Sequence, residues 1–179
     1  MAKLRGLTDV IVARPRLLLV GINPGLRSAA IGHHFAGKGN PFWRLLETAR
    51  LTPRLLQPEE DARLGDFGIA LTNLCARPTR AASELTSEEL RRGRAILEKK
   101  CRTLAPAVVG LVGVGIYPVV FGLRASGGPG PKPEQIGESR VFVVPNPSGL
   151  NASYPSFAAK LVWFEGLRAF VDEANRDRR

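Results

Sequence analysis

Two asparagines, each followed by proline, carry the types and spacing that chemistry would use. Asn23 lies in Gly21-Ile22-Asn23-Pro24-Gly25, and Asn146 in Pro145-Asn146-Pro147-Ser148-Gly149-Leu150-Asn151. Each Asn-Pro step directly follows a short apolar run. Proline fixes its own φ and restrains the residue before it, so each asparagine side chain is aimed rather than free. An amide is too weak a base to deprotonate water, but it can hold and orient one molecule of it. As plain structure the same steps would be turns that stop strands. With two of them at strand ends in one small domain, both readings stand.

Other groups fit a metal poorly. His33 and His34 are adjacent, and Cys75 and Cys101 are the only cysteines. No four-cysteine set and no helical His-x-x-x-His pair exists, so no metal or other cofactor is expected. Both thiols read as buried and inert. Glu84 is the nearest carboxylate by sequence that could assist a water held by Asn23; read structurally, it is an exposed residue ahead of a helix cap. Phe35 sits in a glycine-rich loop but, alone, reads as core.

The elements that must position these residues alternate. Arg16-Leu17-Leu18-Leu19-Val20, residues 67–74, 108–114 and 141–144 are apolar runs of the kind buried on both faces of a sheet. Asn40 and Pro41 open a helical pattern, residues 58–64 suggest a short helix, and Thr86 with Glu89 forms a capping box for a helix to about Leu104. A last helix begins near Pro155. Residues 125–138, rich in Gly and Pro, read as a loop, and residues 175–179 as a frayed charged tail. The expectation is an α/β fold: one three-layer domain over residues 1–179, with a mainly parallel central sheet flanked by helices.

Lys and Arg total 26 against 16 Asp and Glu, a net charge of +10, which favours a phosphate polymer as partner. A compositionally biased genome could produce the same excess. No run is long enough to span a membrane, and residues 1–16 lack a signal-peptide pattern. The expectation is a cytoplasmic, nucleoid-associated monomer.

The two Asn-Pro segments resemble the signature motifs of the mismatch-specific uracil and thymine DNA glycosylases, within the uracil-DNA glycosylase superfamily. Phe35-Ala36, Asn40-Pro41-Phe42-Trp43, Leu71-Thr72-Asn73-Leu74 and Arg77-Pro78-Thr79 match in order, so the likeness runs from about Leu17 to Phe170. The resemblance implies excision of uracil, or a related mismatched pyrimidine such as the thymine of a mispair, from double-stranded DNA, as in base excision repair. Asn23 would position the water that attacks the sugar C1′. The backbone of Ile22 would contact the uracil edge, Phe35 would stack on the flipped base, Ser28 would lie in the loop that forms the pocket wall, and Asn146 would face the pocket. Gly149-Leu150-Asn151 would enter the duplex, with Leu150 as wedge.

Physical chemistry supports these roles. Extruding a paired base costs a few kcal/mol, and an apolar wedge offsets the lost stacking. Leu150 occupies a turn position that ordinarily favours polar side chains; the alternative is that it tucks into the core. Asparagine at position 23 implies a slow enzyme, and aspartate there is expected to keep or raise activity unless its charge repels the departing base. His33-His34 and Ala152 depart from the family pattern. Ala152 stands where an Arg would help read the opposite base, so strict preference for guanine opposite does not follow.

Two rival readings remain: a nucleotide-binding module, suggested by Gly110-Leu111-Val112-Gly113-Val114-Gly115, and a non-catalytic DNA-binding module. The first lacks the third glycine of the dinucleotide pattern.

Overall fold

The computed structural model describes residues 4–178. Met1, Ala2, Lys3 and Arg179 lie outside the described residues, and with them the start of the N-terminal segment and the end of the expected tail. Five strands make one sheet: β1 (Leu17–Gly21), β2 (Ile69–Asn73), β3 (Val108–Val112), β4 (Gly130–Ile136) and β5 (Ser139–Val144). Their order is β2-β1-β3-β5-β4, parallel throughout except for β4, which runs antiparallel to β5.

Why these runs become central strands follows from their two apolar faces. In β1 every residue is buried, and successive side chains point to opposite sides. Leu17 and Leu19 join Phe42, Leu45, Phe164 and Leu167 on one face. Leu18 and Val20 join Leu97, Cys101, Ile116 and Val120 on the other. After α1 (Leu26–Ile31), which follows β1, the helices behind those names are α2 (Phe42–Thr48) and α5 (Phe157–Arg176) on the first face, α3 (Ser87–Leu104) and α4 (Ile116–Phe121) on the second. The result is the expected three-layer α/β fold. Cys75 and Cys101 are free and buried, and burial pushes the Cys101 thiol up to about 12.

Local chemistry starts the helices. Thr86 Oγ1 accepts from the Glu89 N–H at 3.1 Å, and Glu89 Oε2 accepts from the Thr86 N–H at 2.8 Å, closing the capping box. The Asn40 carboxamide accepts from the Phe42 N–H at 3.0 Å, so α2 begins one residue later than the position of Pro41 suggests. Ser156 caps α5 by accepting from Ala159 at 3.0 Å. Residues 58–64 belong to a longer 3-10 segment, Pro58–Phe67. Gly93 of α3 lies against the Leu74 carbonyl; a Cβ there would sit 2.3 Å from that oxygen, so only glycine lets α3 pack this tightly on the chain leaving β2.

Two segments differ from the sequence-based reading. Residues 125–138, expected as a loop, contain β4, with a register shift between Lys132 and Gln135. Its prolines lack an N–H, and an edge strand tolerates them because only one of its sides needs a complete ladder. At the other end, Asn175 and Arg176 are helical, and Arg178 donates to the carbonyls of Ala105 and Pro106.

Candidate active site

In a parallel sheet the strand ends converge where the chain order reverses, here beside β1, and ligands gather beyond the carboxyl ends. A cleft of about 520 Å³ opens at that place. Its walls include Gly21 to Ser28 after β1, Asn73 at the end of β2, Val112 at the end of β3, and Asn146, Ser148 and Leu150 after β5. The size suits a small planar ligand. A larger depression of about 770 Å³ lies at the opposite, amino ends of the strands; its Arg16 is engaged by the carbonyls of Phe67 and Leu51.

Asn23 is fixed by its own amide. Nδ2 donates to the Arg77 carbonyl at 2.8 Å and to Thr79 Oγ1 at 2.7 Å. Both N–H groups are therefore used, which leaves Oδ1 as the acceptor that can take a hydrogen bond from water. The loop behind it is zipped to the chain after β2. Leu74 N–H donates to Gly21 O, Cys75 to Ile22 O, and Thr79 to Pro24 O, at 2.8, 2.8 and 3.1 Å. Arg77 is held in turn by Glu89 at 2.5 Å and by donating to the Glu84 carbonyl at 2.7 Å. That pairing, helped by the Thr86 N–H, pushes the Glu89 carboxyl down to about 2.

Phe35 lines the cleft with its ring stacked on Phe42, centroids 3.7 Å apart. Its φ of +51° is unusual for an aromatic residue and costs about 1–2 kcal/mol, so the surroundings must enforce it. One restraint is Ser28, whose Oγ accepts from the Ala36 N–H at 3.1 Å; another is Arg27, whose Nε donates to Ala36 O at 3.0 Å. Gly21 completes the floor. A Cβ there would meet Asn73 Oδ1 at 2.6 Å, so glycine is what lets the Asn73 carboxamide lie against the end of β1; the Phe35 ring, 3.6 Å from the same point, is at ordinary contact distance.

The segment after β5 is bonded to itself. Asn146 Oδ1 accepts from Ser148 N–H at 2.9 Å, Ser148 Oγ from Leu150 N–H at 3.3 Å, and Asn151 Nδ2 donates back to Asn146 O at 3.0 Å. Beside exposed Gly149, Leu150 stands 94 % exposed rather than tucked into the core. An isolated large apolar side chain so presented gains nothing from the fold itself.

The structure thus brings Ile22, Asn23, Ser28, Phe35, Asn146 and Leu150 to one cleft. Asn151 lies on the adjoining groove. Glu84 is not among the lining residues: it is exposed, and its Oε1 accepts from the Ala81 N–H at 2.9 Å. Sequence reasoning missed Asn73, Thr79 and Arg80, all on the cleft. The signal for Asn73 was its place at the end of an apolar run, the same signal that singled out Asn23. His34 lines the cleft and is buried, while His33 is partly exposed. No carboxylate lines the cleft among the described residues, whereas Arg27 and Arg80 do. Nor, among the described residues, do three His, Cys, Asp or Glu side chains gather as a metal site would need. No helix of the described residues is long and apolar enough to cross a membrane.

A solution NMR structure from Methanosarcina acetivorans, provisionally described as a uracil DNA glycosylase, superposes with a TM-score of 0.63 at 21% identity. The match covers 92% of this chain and 98% of that one, and shows a shared fold. The profile of the uracil DNA glycosylase superfamily matches residues 8–168, nearly the whole chain. The chain belongs to the uracil DNA glycosylase superfamily.

Proposed function

We propose that the protein is a monofunctional glycosylase that hydrolyses the N-glycosidic bond of uracil, and of thymine or modified pyrimidines, in mismatched double-stranded DNA. The observation that carries this reading is the Asn23 amide: both its N–H groups are engaged, and Oδ1 is left to orient water in a cleft beside Phe35 without a carboxylate. The target nucleotide flips into the cleft, and its base stacks on Phe35. Water held by Asn23 bonds to C1′ as the C1′–N1 bond breaks. The bonding pair leaves with the base, and the attacking water gives its proton to solvent. Cationic Arg27 and Arg80, and backbone dipoles around the base, favour the departing anion. Leu150 fills the space left in the duplex. No cofactor enters this scheme. The protein acts as a monomer in the cytoplasm, on nucleoid DNA.

The test is incubation with a uracil-containing duplex, followed by alkaline cleavage of the abasic site. Strand scission at the uracil position is expected. Tight duplex binding with no scission would overturn the catalytic reading in favour of a DNA-binding module, and retention on immobilised nucleotide with neither would favour a nucleotide-binding one.

A further inference from the structure

The two residues before Phe35 are bonded from a remote part of the chain by one carboxylate. Asp61, in the Pro58–Phe67 segment, is only 8 % exposed. Its Oδ2 accepts from the His34 backbone N–H at 3.0 Å, and its Oδ1 lies 3.3 Å from His33 Nδ1. His34 is fixed again through its ring, whose Nε2 donates to the Thr8 carbonyl at 3.0 Å. Directly after these two residues comes Phe35 at φ +51°, its ring on Phe42. Ser28 and Arg27 hold the Ala36 side of the turn. On the His34 side, the side chain that reaches the backbone is Asp61.

We propose that Asp61 is a positioning residue for base excision. It clamps the His33-His34 turn, keeps Phe35 in its left-handed conformation, and so keeps the stacking platform facing the cleft. It does not reach the cleft lining itself. The role rests on the reading of the cleft as a base pocket, but its structural half does not.

The test compares Asp61→Ala, Asp61→Asn, Phe35→Ala and the Asp61→Ala/Phe35→Ala double variant in single-turnover excision from a guanine–uracil duplex. Duplex affinity and thermal melting are measured beside it. Asp61→Ala is expected to slow excision roughly tenfold with affinity unchanged, because a small misplacement of a binding group is costly. Asparagine keeps an oxygen for the His34 N–H, so Asp61→Asn should recover most of the rate. In the Phe35→Ala background, Asp61→Ala should add less than about twofold, the non-additivity of residues acting through one another. The same tenfold loss in both backgrounds, or no rescue by asparagine, would overturn the proposal. A second readout needs no activity: the ring–ring NOE between Phe35 and Phe42 in the DNA-free protein. It should weaken in Asp61→Ala and persist in Asp61→Asn. An unchanged NOE in Asp61→Ala would sink the positioning role, whereas an inactive wild type with the expected NOE changes would sink only the base-pocket reading.

Discussion

Asn23 Nδ2 lies 2.7 Å from Thr79 Oγ1, and the direction of that bond is fixed. Thr79 uses its own hydroxyl hydrogen on the Ala81 carbonyl at 2.8 Å, so towards Asn23 it can only accept. The Arg77 carbonyl, on the other N–H, is also an acceptor only. Two acceptors hold the amide nitrogen and thereby orient the oxygen.

Thr79→Val removes one of those acceptors at nearly constant shape. Excision should slow by roughly threefold to tenfold, about 0.7–1.4 kcal/mol of barrier, with duplex affinity unchanged. Thr79→Ser should behave like wild type. Single-turnover rates decide the matter, and a valine variant as fast as wild type would remove Thr79 from the positioning of Asn23.

Asn23→Ala should lower base release by roughly 10²-fold or more, about 2.7 kcal/mol, because the lost interaction is made mainly in the transition state. Asn23→Asp does not follow the chemistry of water activation alone. A carboxylate would face the Arg77 carbonyl, where Asn23 now donates at 2.8 Å, and two acceptors repel. A loss of roughly tenfold or more is expected for Asp as well. An aspartate variant faster than wild type on a guanine–uracil duplex would show that general-base strength outweighs the anchoring.

Leu150→Ala should slow excision from duplex roughly tenfold while changing single-strand excision less than about twofold, since single strands leave no hole to fill. Thermal stability should hold, because Leu150 is 94 % exposed. Equal losses on both substrates would reassign Leu150 to shaping the loop.

Duplex affinity should fall with salt, with a slope of log K against log salt of roughly −2 to −5 for a few phosphate contacts. Arg80 is exposed on the cleft wall, so Arg80→Ala should flatten that slope by about 1. A flat response in the wild type between low and physiological salt would mean that the net charge of +10 is not used on phosphates.

Gly93→Ala sets two effects against each other. Alanine gains about 1 kcal/mol of helix propensity, but its Cβ would lie 2.3 Å from the Leu74 carbonyl oxygen. Overpacking against backbone costs about 1–3 kcal/mol or more, so the net change should be destabilising and Tm should drop. A variant that melts at or above the wild-type temperature would show that α3 can shift away from Leu74 at little cost.

Amino-acid order alone determined the elements whose signals are local. β1, β2, β3 and β5 are legible because a strand buried on both faces must be apolar along its length. The start of α3 is legible because Thr86 and Glu89 satisfy each other three residues apart. Asn23 is legible as a candidate because Pro24 and the preceding apolar run are its immediate neighbours. β4 was not, since its alternating prolines are permitted only by its place at the sheet edge, which is set by pairing with β5. Asn73 and Thr79 came to line the cleft through register. Gly21 pairs with Asn73, and Gly25 bridges to Thr79, across about fifty residues of intervening chain. That same long-range pairing decides which atom of Asn23 faces the cleft, because the two groups holding its nitrogen, the Arg77 carbonyl and the Thr79 hydroxyl, reach it only when β1 and β2 lie side by side.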